Sequence, residues 1–128
     1  MKIAMPLKNS NKLDSELSEH FGHASYFGFV EIEDGKIVNY EIIPNTFESH
    51  GPGDLPNLIK QKNAEILIAY GMGQRALDFF ESYNIKVITG VEGSMKEIVD
   101  EYIKGNLEVD ESWKDKEEFA HHDHEDHE

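Results

Sequence analysis

The chain has 128 residues, with 26 acids against 12 Lys and Arg, a formal net charge of −14, 38% hydrophobic residues and no cysteine. That length predicts one folding unit whose core needs no disulfide or metal staple, while the missing thiols exclude thiolate catalysis, thiolate zinc sites and all-cysteine iron–sulfur ligation and point to a reducing cytosol. The negative charge disfavours nucleic acid and anionic membranes, and no apolar run approaches the ~20 residues of a membrane span, so the expectation is a soluble, cytoplasmic protein.

Ile3-Ala4-Met5 before Pro6 predicts a short buried strand, because proline removes a ladder donor and suits a strand end. Residues 8–20 are polar and loop-like, with one helical turn expected around Leu13–Leu17. Tyr26–Ile32 and Lys36–Ile43 flank Asp34-Gly35, the signature of a type I′ hairpin whose two turn residues accept positive φ. Asp54 caps a short helix with Pro56 in its first turn. Ile66–Tyr70 is a continuous apolar run, as expected of a strand covered on both faces.

Gly71-Met72-Gly73 then opens a helix through Tyr83, with Asn84 placed for a left-handed exit. Val87-Ile88-Thr89 is a further strand. The last helix starts with a capping box, Ser94 with Glu97, and stops at Gly105. Right-handed crossovers make the two later strands parallel to the first and put the hairpin on its other side. The predicted fold is α/β, a three-layer ribonuclease H-like arrangement with a mixed five-stranded sheet and helices on both faces.

Residues 108–128 hold ten acids against Lys114 and Lys116, a net of −8, which leaves −6 for residues 1–107. The shift divides the chain into a domain, 1–107, and an acidic His-rich tail, 108–128, expected to be solvated, with Trp113 or Phe119 docked on the body. Within the tail, His121, His122, His124 and His127 alternate with carboxylates and suit nickel or zinc, since imidazole is a good ligand for both ions.

Gly71-Met72-Gly73-Gln74-Arg75-Ala76 has the form of an anion cradle, a strand end feeding a helix whose first NH groups lack intrahelical partners. It also fits the letters of a dinucleotide fingerprint, with Glu92 about 20 residues on. Such fingerprints usually open a first βαβ unit, whereas only one strand and one helix follow here. Two further loops carry histidine, Glu19-His20-Phe21-Gly22-His23-Ala24-Ser25 and Ser49-His50-Gly51-Pro52-Gly53-Asp54. Strands one, four and five are parallel, so the loops after them emerge at one end of the sheet, where sites usually form. No acid sits in the first or fourth strand, which removes a two-metal nuclease, and no P-loop lysine is present. No catalytic constellation emerges, so the expectation is a binding protein and not an enzyme.

Taken in order, His20-Phe21-Gly22, the His50-Gly51-Pro52-Gly53 loop, Gly71–Ala76 after its apolar strand, and Ile85-Lys86-Val87 leading to Gly93 and a helix ending in Gly105-Asn106-Leu107 resemble the dinitrogenase iron–molybdenum cofactor biosynthesis family. That family includes NifX- and NifY-like carriers, the carboxy-terminal part of NifB and small standalone proteins. The resemblance spans residues 1–107 and implies a carrier of iron–molybdenum cofactor, its iron–sulfur precursor or a related metal cluster, exchanged with a donor or acceptor protein. It implies His20 and His50 as ligands, set in Phe21-Gly22 and Gly51, with Gly71, Met72, Gly73, Gln74 and Arg75 offering NH groups and a cation. Two alternatives stand beside it, a nucleotide- or dinucleotide-binding protein using Gly71–Ala76 and a nickel or zinc chaperone using the tail.

Overall fold

Apolar side chains on both sides of the strands require a sheet covered on both faces. The computed structural model, which describes residues 1–46 and 54–115, has that form. Its elements are β1 (Lys2–Leu7), β2 (Tyr26–Glu33), β3 (Lys36–Pro44), α1 (Asp54–Gln61), β4 (Ile66–Ile68), α2 (Gln74–Ser82), β5 (Lys86–Ile88), α3 (Met95–Lys104) and a closing 3₁₀ turn, Glu111–Asp115. The sheet order is β3-β2-β1-β4-β5, with β1, β4 and β5 parallel and the β2–β3 hairpin antiparallel to its neighbours. This is the ribonuclease H-like arrangement expected from the order of elements.

Side-chain alternation sorts the core into two layers. Ile3, Met5 and Leu7 of β1, Val30 and Ile32 of β2, and Ile66 and Ile68 of β4 meet Met95, Ile98 and Val99 of α3. Ala4, Phe27, Phe29 and Leu67 face the other way, onto Leu55 and Ile59 of α1 and Phe80 of α2. Phe27, Phe29 and Phe80 are almost wholly buried, each contributing roughly 1.5–3 kcal/mol of transfer free energy.

The hairpin turns through Asp34 at φ 53° and Gly35 at φ 74°, both left-handed as a type I′ turn requires. A register shift follows immediately, with Glu31 opposite Asn39 but Ile32 opposite Ile37, so Val38 is the extra residue and points to solvent.

Two local expectations change. β1 runs on through Pro6 to Leu7, because its pairing with β4 involves only Ile3 and Ala4 and the missing proline NH therefore costs no bond on that side. Leu13–Leu17 is not helical. Its backbone instead serves α3, with Met95 NH donating to Ser15 O at 2.8 Å and Lys96 NH to Leu13 O at 2.9 Å.

Beyond Leu107, where the composition shifts, the chain is still tied to the body. Asp110 NH donates to Gly90 O at 2.8 Å. Trp113 is 3% exposed in the α3-side core, and its indole NH shares Glu111 Oε2 with the Thr89 hydroxyl, at 2.7 and 2.8 Å.

Candidate functional site

Because β1, β4 and β5 are parallel while β2 begins and β3 ends beside the carboxyl end of β1, four connections meet at one edge of the sheet. They are the segments 8–25, 69–73 and 89–94 and the start of a fourth at 45–46, whose continuation, 47–53, lies outside the described residues. Backbone hydrogen bonds lace them together. Ser18 NH donates to Pro6 O and Ser25 NH to Leu7 O, Gly90 NH to Tyr70 O, and Leu17 NH to Gly93 O, at 2.8 to 3.0 Å.

The His20–His23 turn is held from below by Phe21. This ring is 4% exposed and packs edge-on against Phe27 and Phe80, with centroids 5.6 and 5.4 Å away. Its NH donates to Gly71 O at 3.3 Å, joining the histidine turn to the glycine loop that precedes α2. Ser18 fixes the entry: its hydroxyl donates to His20 O at 3.1 Å and accepts from His20 NH at 3.3 Å. Asn45 fixes the exit, with its side-chain amide on Ala24 O and its NH on Ser25 O, both at 2.9 Å. The two imidazoles stand outside this anchored turn, His20 half-buried and His23 exposed, with ring centroids 6.1 Å apart in an edge-to-face arrangement.

Gly71 and Met72 are buried, Met72 with its thioether in the layer under α1 and α2. Phe21 and Met72 are therefore packing residues that present backbone to the site. Gly73 is the N-cap of α2, with φ −72° and ψ 162°, and supplies no side-chain cap; the first turn contains no acid. Gln74 folds its amide back onto Asp78 at 2.9 Å. Arg75, the chain's single arginine, is exposed on that first turn.

Neither Gly22 nor Gly73 has a positive φ, and a Cβ built on either would meet nothing within 4 Å among the described residues. Packing of the described residues against one another therefore does not demand glycine at these two positions. Each leaves the backbone approachable from outside, one beside His20 and the other at the start of α2.

His50 and Gly51 lie outside the described residues, as do His121, His122, His124 and His127. Among the described residues no group of three or more His, Asp or Glu is arranged to hold a metal ion, and no helix is long and apolar enough to cross a membrane. A shallow groove of about 570 Å³ between β3 and α3 is lined by Leu13, Tyr40, Lys96 and Ile103 and reaches Gly35 and Lys36 at the hairpin tip. Ser18 and Asn45 were not legible as parts of the site, since a serine before Glu-His and an asparagine after proline carry no motif; only their long-range bonds reveal them.

Residues 1–105, which contain every described loop of this edge, match the family model described as dinitrogenase iron-molybdenum cofactor. The chain belongs to that family. It is 36% identical over 111 residues to the uncharacterized protein MJ0580 of Methanocaldococcus jannaschii, covering 84% of this chain and 90% of that one. The crystal structure of PH0822 superposes with a TM-score of 0.82 at 40% identity, over 89% of this chain and all of that one. An NMR structure of a putative NifB protein from Thermotoga gives a TM-score of 0.69 at 29% identity, over 84% and 91%. Family membership associates the chain with the nitrogenase cofactor and accounts for both the fold and the order of its loops.

Proposed function

We propose that this protein is a carrier that holds an iron–molybdenum-type cofactor, its iron–sulfur precursor or a related anionic metal cluster at the carboxyl edge of its sheet, for transfer between a donor and an acceptor protein. The observation that carries this reading is the space that the described residues leave open above Gly22 and Gly73, on two loops joined by the Phe21–Gly71 hydrogen bond. A bulky sulfide cluster needs backbone it can approach closely, and glycine supplies it. The first NH groups of α2 and the Arg75 guanidinium favour negative charge there. His20, with His50 from the neighbouring connection, supplies the metal ligands. With no cysteine in the chain, the cluster is held by few imidazole bonds, which suits cargo that must leave again.

Anaerobic incubation with isolated iron–molybdenum cofactor followed by gel filtration tests the reading. Wild type retains the cofactor, and His20→Ala and Gly73→Val each lose most of it while keeping the native circular dichroism spectrum. If both variants retain cofactor like wild type, the site is wrong.

A further inference from the structure

The sheet ends on one side in β5, three residues long, and on the other in β3, nine residues long. A short edge strand offers little for another chain to pair with, whereas a long one presents a row of backbone donors and acceptors. Which groups of β3 face outward follows from the alternation of antiparallel ladders. Ile32 of β2 exchanges two bonds with Met1, at 3.0 and 2.7 Å, so that residue serves the β1 side. Glu31, Phe29 and Phe27 alternate with it and therefore serve β3, where they face Asn39, Glu41 and Ile43. Asn45 NH, on Ser25 O at 2.9 Å, continues the same alternation. Tyr40 and Ile42 lie between and turn their NH and C=O away from the sheet, and among the described residues no strand pairs with them there. The bulge at Val38 and the proline at Pro44 blunt the two ends of this edge and leave its middle available.

A hollow flanks that edge on each face of the sheet. On the α3 face, the groove of about 570 Å³ offers Ile37, Tyr40 and Ile103 beside Lys36, Lys96 and Asp100. On the α1 face, a second hollow of about 400 Å³ is lined by Lys2, Glu31, Asn39 and Glu41. Lys2 Nζ turns to Lys62 O at 3.0 Å, and Lys62 Nζ pairs with Glu41 at 3.1 Å. Glu31 is half-buried and has no ion pair among the described residues, so the second hollow carries one carboxylate to spare. Extended segments bind sheet edges of this form: main-chain bonds supply affinity, and alternate side chains enter pockets on the two faces and supply specificity.

We propose that the outer edge of β3 receives an extended segment of another protein, with a long basic side chain lying over Asn39 toward Glu31 and the apolar side chains that alternate with it packing on Ile37, Tyr40 and Ile103. The chain's net charge of −14 draws a basic segment at long range. A second copy is the wrong occupant. Paired antiparallel about Tyr40, it sets its own Glu41 opposite Asn39, a third carboxylate beside Glu31 and Glu41, and it brings another −14. The proposal uses none of the residues assigned to the cluster site and stands independently of the carrier reading.

Titration of the full-length, nitrogen-15-labelled protein with the synthetic peptide acetyl-Thr-Val-Arg-Val-Arg-Val-Thr-amide tests it, followed by amide chemical shifts and hydrogen exchange. Shifts centred on residues 39–43 are expected, with exchange at the Tyr40 and Ile42 amides slowed at least about tenfold by saturating peptide. The same peptide with every backbone nitrogen methylated keeps its side chains and charge and should not bind. Equal binding by it would mean plain attraction between a basic peptide and an acidic protein, and overturns the proposal. Glu31→Gln should weaken the unmethylated peptide roughly two- to fivefold, the scale of one cross-strand charge pair; unchanged affinity refutes the place assigned to the basic side chain. Exchange at Tyr40 and Ile42 that is already slow without peptide names a different occupant. Protection independent of concentration assigns the edge to the protein's own remaining residues, and protection that grows with concentration assigns it to a second copy; either result overturns the proposal. So does the absence of shifts at this edge with peptide in large excess.

Discussion

Gly90 adopts φ +82°, and a Cβ there would lie 2.5 Å from the Asp110 carbonyl oxygen and 2.8 Å from its nitrogen. Backbone, unlike the end of a flexible side chain, cannot swing aside, and alanine is itself strained at this φ. Gly90→Ala is therefore expected to cost more than about 1 kcal/mol and to shift the emission of Trp113, the chain's single tryptophan, to the red as the 3₁₀ turn lifts. Urea denaturation followed by fluorescence measures both. Gly73→Ala is the contrast, with open space and an ordinary φ, and should stay within about 0.5 kcal/mol of wild type. The two glycines follow strands of similar composition and look alike as letters. What distinguishes them is a segment twenty residues away in one case and, among the described residues, nothing in the other, which local sequence cannot express.

At the scale of the element, α3 was readable because its signals are local. Ser94 NH donates to Glu97 Oε1 at 3.1 Å and Glu97 NH to the Ser94 hydroxyl at 3.2 Å, and Gly105 closes the helix at φ 77°. The Ser94 backbone bond, and then its hydroxyl, hold the Glu97 carboxyl below its ordinary value of 4.5. A depressed carboxylate stabilises the fold above its unfolded pKa, and that contribution is lost as pH falls through the lower folded value. Glu97→Gln, whose amide oxygen can still accept from Ser94 NH, should therefore remove part of the acid-side slope of stability below about pH 4.5. Thermal melts of both proteins across that range would show it, and parallel slopes would refute it. Ser94→Ala removes the hydroxyl and should cost about 1 kcal/mol at neutral pH. The hairpin was legible for the same reason, from Asp34-Gly35 and its flanking strands. The Leu13–Leu17 segment was not, since its spacing suggested a helical turn while its carbonyls go to the first NH groups of α3, some eighty residues away.

Across the whole molecule, the order of loops along the chain revealed the family, while the physical edge those loops build depends on hydrogen bonds between segments far apart in sequence. His20 and Gly71 could be placed at one end of a parallel sheet from topology alone; that Phe21 wedges between Phe27 and Phe80 and bonds to Gly71 could not. The C-terminal segment was legible in part. Its acidity predicts solvation with Trp113 or Phe119 docked on the body, and the buried indole of Trp113 bears out the docking. Trp113 joins Val91 and the α3 residues in the core, and Glu111 accepts from both its NH and Thr89, so a strongly negative segment is held at the carboxyl end of β5. Like-charge repulsion between residues 108–115, where Glu108, Asp110, Glu111 and Asp115 stand against Lys114, and a body of −6 works against the docking. Burial of the indole has to exceed it. Trp113→Ala should therefore cost about 3–5 kcal/mol in denaturant titrations followed by circular dichroism, and raising the salt concentration should stabilise wild type more than the variant, because only wild type holds the two negative parts together. A small loss with equal salt response in both proteins would mean that the indole does not anchor the segment.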